Sequence, residues 1–244
     1  KLNLQNNYGH NCFVGLVCKL PIIIMNKTEN HSTFFYSEKE ERLNVLSHGY
    51  AFLFSVVCFI LLVAKGISDG SPIYIFSLAV FGIALMLTFL TSTMYHKSKD
   101  PIKRNKYRML DMFAIYTMIA GSYTPYALVL LQGTKGWILF SIVWSIALFG
   151  IIWKLFTVGK YNLISTFLYV GMGGICVFYM QDLFQLLSYE GLLWLVIGCV
   201  SYLIGVFFYL MDNRIEYNHF IWHLFVIGGS FSHFISIFFY VLPS

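Results

Sequence analysis

Residues 219–242 read HFIWHLFVIGGSFSHFISIFFYVL. No lysine, arginine, aspartate or glutamate interrupts this run. It exceeds the about 20 residues a helix needs to cross a bilayer and is far longer than a membrane β-strand of about 9–11 residues. Inside lipid the backbone must satisfy its own hydrogen bonds, which a helix does within one segment. The stretch therefore predicts a transmembrane helix, and it opens with two histidines four residues apart.

Six more apolar runs precede it: Leu46–Lys65, Pro72–Tyr95, Met109–Leu131, Trp137–Phe156, Leu163–Met180 and Leu192–Met211. Of the 244 residues, 58% are apolar or aromatic and 11% are charged, where a soluble protein carries roughly 25% charge. That composition excludes a soluble globular enzyme, a disordered chain and a disulfide scaffold. The expected fold is all-α, a polytopic seven-transmembrane helix bundle in one domain over residues 38–244. Residues 1–37 read as a disordered leader. The chain opens on Lys1 and its first methionine is Met25, so residues 1–24 read as an extension outside the native protein, without the pattern of a signal peptide. The five cysteines form no CxxC pair, and no disulfide framework is expected. The GMGG stretch at 171–174 loosens the fifth run; it permits close helix approach without specifying an oligomeric state.

The net charge of +5 records topology rather than nucleic-acid affinity. With the amino terminus inside, fourteen of the sixteen lysines and arginines fall on cytoplasmic segments, and only Lys65 and Lys135 fall outside. Six of the fourteen lie between the second and third runs. The positive-inside rule thus predicts a cytoplasmic amino end and an outer carboxyl end.

Ionisable residues embedded near helix ends are the functional candidates. His96 closes the second run, Asp111 begins the third, and His219 and His223 open the seventh. All four fall at the cytoplasmic ends of their helices in this topology. His219 and His223 share a helical face and can hold one metal ion, or they are a wet interfacial pair. His96 supplies a third nitrogen at the same depth. Ser92, one turn before His96, either orients a water or a ligand or bonds back to a carbonyl; spacing alone favours the back-bond. Asp111 either acts as a base beside the metal or pairs with Arg108. Glu41, Asn44 and His48 ahead of the first run read as a cap and an outer wall of the site. His233 reads as a packing residue bonded across the bundle.

These pieces form a pattern. EERLNVLSHG (40–49), TSTMYH (91–96), RMLDMFAIYTMIAGSYTPY (108–126) and NHFIWHLFVIGGSFSHF (218–234), with YVLPS closing the chain, resemble the hemolysin III family, within the progestin and adipoQ receptor superfamily. The resemblance covers residue 38 to the end, and the leader departs from it. It implies a zinc held by His96, His219 and His223 near the inner leaflet, with Ser92 and Asp111 completing the motif. By likeness to the receptor branch and to alkaline ceramidases, it also implies hydrolysis of lipid amides.

Three histidines leave zinc an open position for water, the ligand count of a catalytic site. The expected activity is a zinc-dependent hydrolase acting on an amphiphilic lipid amide or ester, with membrane lipid as partner. Two alternatives stay open: a non-enzymatic receptor or structural protein with a structural zinc, and a cytolytic pore former, as the family name records.

Overall fold

A computed structural model describes residues 35–157, 161–211 and 215–241. Most of the expected leader lies outside the described residues, as do Lys160, Arg214 and residues 242–244. The described chain is all-helical. Seven helices are long and apolar enough to span a membrane: α1 (Glu38–Ser68), α2 (Pro72–Lys97), α3 (Pro101–Leu131), α4 (Gly133–Phe156), α5 (Asn162–Leu186), α6 (Tyr189–Leu210) and α7 (Asn218–Val241). This makes the protein a multi-pass integral membrane protein.

Two helices start well before their apolar runs. α1 begins at Glu38 because the Ser37 hydroxyl accepts from the Glu40 amide at 3.3 Å, and three glutamates in the first turn suit the positive end of the helix dipole. α3 begins at Pro101, with Asp100 accepting from the Lys103 amide at 2.9 Å. The basic segment between the second and third runs is thus mostly the first two turns of α3. Hydropathy underweights such polar turns.

Three helices change pitch inside the bundle. α3 carries Pro125, and Tyr126–Leu131 continues it as a π-helix. Residues Ile237–Val241 at the end of α7 also form a π-helix. α5 breaks into a 3-10 segment at Gly174–Tyr179. The Tyr123 hydroxyl spans this break, donating to the Gly173 carbonyl at 2.5 Å and accepting from the Cys176 amide at 2.9 Å. Within lipid, such a break persists only where its freed backbone groups find partners.

α3 is the central helix, with 72% of its apolar window buried against 17% for α5. It packs on α2 and α4 through small residues. The Tyr116 ring occupies the place where a Cβ on Gly150 of α4 would stand, so any larger residue there would part the two helices. Cys58, Cys176 and Cys199 are free thiols. The up-and-down order brings the starts of α1, α3 and α7 and the end of α2 to one end of the bundle.

Candidate metal centre

His96 lies in the last turn of α2, and His219 and His223 lie in the first turns of α7. The start of α7 is held by Asn218, whose Nδ2 donates to the Phe208 carbonyl of α6 at 2.8 Å. One helical turn then carries His219 and His223 to the same face. All three imidazoles are buried, at 4%, 5% and 0% exposure. One ring nitrogen from each lies within 4.8 Å of the others, and Nε2 of His96 is 3.2 Å from Nε2 of His219. Two nitrogens on one tetrahedral zinc, each bonded at about 2.0–2.1 Å, stand about 3.3 Å apart.

Each imidazole is anchored through its other nitrogen. His96 Nδ1 meets Glu41 Oε2 at 2.8 Å, His219 Nδ1 meets the Tyr36 hydroxyl at 2.8 Å, and His223 Nδ1 lies 3.4 Å from Ser47 Oγ. A carboxylate can only accept, so His96 donates from Nδ1 and its Nε2 carries the lone pair. The Nε2 atom of His223 is buried and has no hydrogen-bond partner. Three ring nitrogens converging on one point, that of His223 without a partner, fit a cation. The donor set of three imidazoles, each oriented by an outer group, suits a divalent transition metal.

Glu41 does more than cap α1. Its carboxylate accepts from the Tyr36 amide at 3.1 Å, from His96, and from the Arg104 guanidinium. Arg104, 1% exposed, also donates to the carbonyls of Tyr95, His96 and Ser98, which close α2. Its guanidinium lies between the Phe35 and Tyr95 rings, 4.3 and 4.4 Å from their centroids. One buried arginine thus ties α3 to the helix end that carries His96. Asn44 Nδ2 lies 3.5 Å from His96 Nδ1. His48 stacks on His223 with ring centroids 3.6 Å apart, and neither of its nitrogens has a partner.

Ser92 departs from the back-bond that spacing favoured. Thr88, Thr91 and Thr93 bond back to carbonyls one turn earlier, at 2.9, 2.8 and 2.7 Å, but the buried Ser92 hydroxyl bonds to nothing. Asp111 lies outside the group of converging ligand atoms and interacts with Thr91, beside Ser92. Among the described residues it forms no ion pair with Arg108, whose Nε is buried and unpartnered. His233 donates to the Gly229 carbonyl of its own helix at 2.8 Å, rather than across the bundle, and packs against Gly198 and Tyr202.

Sequence reasoning missed Tyr36 and Arg104. Tyr36 falls in the expected leader, and its signal is only an aromatic residue just before a helix cap. Arg104 reads as one topogenic charge among several.

Seven apolar helices with a buried histidine triad at one end define a class of integral membrane protein with a site able to hold a metal ion. The haemolysin-III related family profile matches residues 36–234, and the chain belongs to that family. It is 36% identical to "Hemolysin-3" of Bacillus cereus over 89% of this chain and 99% of that protein. It is 38% identical to "Hemolysin-3 homolog" of Bacillus subtilis (strain 168), over 79% and 90%. Human "Monocyte to macrophage differentiation factor" is 30% identical over 60% of this chain and 63% of that protein.

Proposed function

We propose that the protein is a zinc-dependent hydrolase of the plasma membrane, acting on a lipid amide or ester at the cytoplasmic leaflet. The observation that carries this reading is the convergence of three imidazoles that spend Nδ1 on the protein and turn a second nitrogen to one point. His96, His219 and His223 would hold the ion. When bound, zinc supplies an acidified water and polarises a carbonyl.

The chain's own groups divide the remaining work. Glu41 fixes the tautomer and ring plane of His96, and Arg104 fixes Glu41. The Asp111 carboxylate takes a proton from the attacking water and returns it to the leaving nitrogen or oxygen. The Ser92 hydroxyl, buried and uncommitted, is free to donate to the oxygen on which charge develops. The basic residues at this end of the bundle support the cytoplasmic assignment.

Purified protein should carry one tightly held zinc and release fatty acid from an N-acyl sphingoid or an acyl ester. Chelation should stop the release and zinc should restore it. Zinc-loaded protein that releases nothing from a broad panel of amides and esters would overturn the reading.

A second reading is a structural zinc joining α2 to α7. It is favoured by the origin of the three imidazoles on two helix ends, His96 on α2 and His219 and His223 on α7. X-ray absorption separates the two: three nitrogens and a water oxygen support hydrolysis, and four nitrogens support structure. The cytolytic reading that the relatives' name carries predicts leakage of liposomes by externally added protein. Spans this apolar do not travel as soluble monomers, so no leakage is expected.

A further inference from the structure

α1 and α7 run in the same direction, tied at both ends and parted between. At the site end, Ser47 and His48 contact His223. At the far end, Lys65 Nζ donates to the Phe238 carbonyl at 2.5 Å and lies 5.0 Å from the centre of its ring. Between the ties is a groove of about 330 Å³. Its walls are Ala51, Ser55 and Cys58 on α1, Leu85 and Phe89 on α2, and Ser230 on α7. Small residues on α1 make the room, and two large apolar residues of α2 make the floor.

The groove offers little to a polar ligand. Its serine hydroxyls are already committed: Ser47 donates to the Asn44 carbonyl at 3.1 Å, Ser55 to the Phe52 carbonyl at 2.7 Å, and Ser230 shares a hydrogen bond with Tyr202 at 2.9 Å; Tyr50, 70% exposed, stands at the rim. What remains on the wall is hydrocarbon. Phe54 and Phe231 stand at the outer lip, ring centroids 5.7 Å apart and 48% and 42% exposed, on the surface that an integral membrane protein turns to lipid. The bilayer therefore supplies the hydrocarbon that meets this opening. From Ser47 to Cys58 the helix rises about 16 Å, the length of an extended chain of roughly a dozen carbons. The polar end of such a chain would stop at Ser47, whose hydroxyl faces His223.

We propose that this groove is the acyl-chain subsite of the metal centre: one acyl chain of a membrane amphiphile enters sideways between α1 and α7, past Phe54 and Phe231, and presents its carbonyl end to His223. This inference rests on the hydrolase reading for its direction, but it is tested by occupancy and not by turnover. The substrate class becomes a single-chain acyl amide or ester of medium to long length. The opening lies between α1 and α7, not at another helix pair.

The test uses the full chain in detergent and two dodecanoic acid probes, one with a diazirine beside the carboxyl and one with it at the methyl end. After illumination, the carboxyl-side probe should label peptides around Ser47 and Ile227. The methyl-end probe should label peptides around Cys58 and Leu85. Ala51→Phe, which fills the groove, should cut both labels at least fivefold with metal content unchanged. Ser55→Leu serves the same purpose if Ala51→Phe does not fold, and Phe54→Ala should raise labelling. Equal scattering of both labels over α4, α5 and α6, or labelling indifferent to the groove-filling changes, would overturn the subsite. Ordered labelling in a protein that hydrolyses nothing would keep the subsite and sink the hydrolase; turnover with scattered labelling would do the reverse.

Discussion

The two halves of α7 bury the same kinds of side chain and treat them differently. Toward its end every buried polar group there is spoken for. Ser236 accepts from the Tyr126 hydroxyl at 2.7 Å and donates to the Gly191 carbonyl at 2.8 Å; Ser232 bonds back to Gly228, His233 to Gly229, and Ser230 to Tyr202. Around its start, buried atoms stand open: Nε2 of His223, both nitrogens of His48, the Ser92 hydroxyl, Oδ1 of Asn44 and Oδ1 of Asn218. A buried polar atom without a partner costs about 1–3 kcal/mol. A fold that pairs one half of a helix fully and leaves the other half open keeps, in that open half, groups able to take a ligand. The paired half works as a clamp, and the open half as a site.

The sharpest break of this contrast uses one residue type in both halves. His219→Ala should lower metal affinity more than about a thousandfold, since a three-ligand site loses a ligand and the binding free energy it carries. Purified variant should contain no metal by elemental analysis. His233→Ala should keep full metal content and lose about 1–3 kcal/mol of stability instead, through the lost hydrogen bond to Gly229 and the space left beside Gly198. Equal metal loss in the two variants would erase the distinction between the halves.

Next in size is Asp111→Asn. It should leave metal content intact and lower hydrolysis by about a hundredfold or more, the usual share of a positioned acid–base group. Loss of metal in this variant would make Asp111 a ligand and close the shell. Glu41→Gln should weaken metal binding by about 10–100-fold, as removal of an outer partner to a ligating histidine does. It should also lower the melting temperature, because Arg104 loses its carboxylate and remains buried at the end of α2.

How much of this was legible beforehand follows from the kind of signal each feature leaves. Apolar length is local, so seven spans stand in the sequence. The depth of His96 and of the HFIWH pair is also local, and an up-and-down bundle converts equal depth into nearness. The break in α5 is foreshadowed by its glycines. Helix starts were harder: Glu38–Val45 and Pro101–Arg108 are polar turns that only their caps, Ser37 and Asp100, betray. The role of Arg104 was not legible, because a topogenic arginine in water and an arginine sealed between two aromatic rings look identical in a string. Nor was the openness of Ser92, since a serine in a membrane helix ordinarily bonds back one turn, as its threonine neighbours do.

That openness yields the smallest effect and the cleanest test of the contrast. Ser92 and Ser236 are both buried serines in transmembrane helices, at 1% and 0% exposure. Ser236→Ala removes a group that both accepts and donates, stranding the buried Tyr126 hydroxyl, and should cost about 1–3 kcal/mol. Ser92→Ala strands nothing, because its hydroxyl has no protein partner; stability without ligand should shift by less than about 0.5 kcal/mol and can rise. Turnover should move the other way round, falling in Ser92→Ala and holding in Ser236→Ala, with both read in the same detergent and at the same zinc occupancy. If Ser92→Ala proves as destabilising as Ser236→Ala, the hydroxyl is part of the scaffold, and the open half of α7's neighbourhood loses one of the groups that mark it as a site.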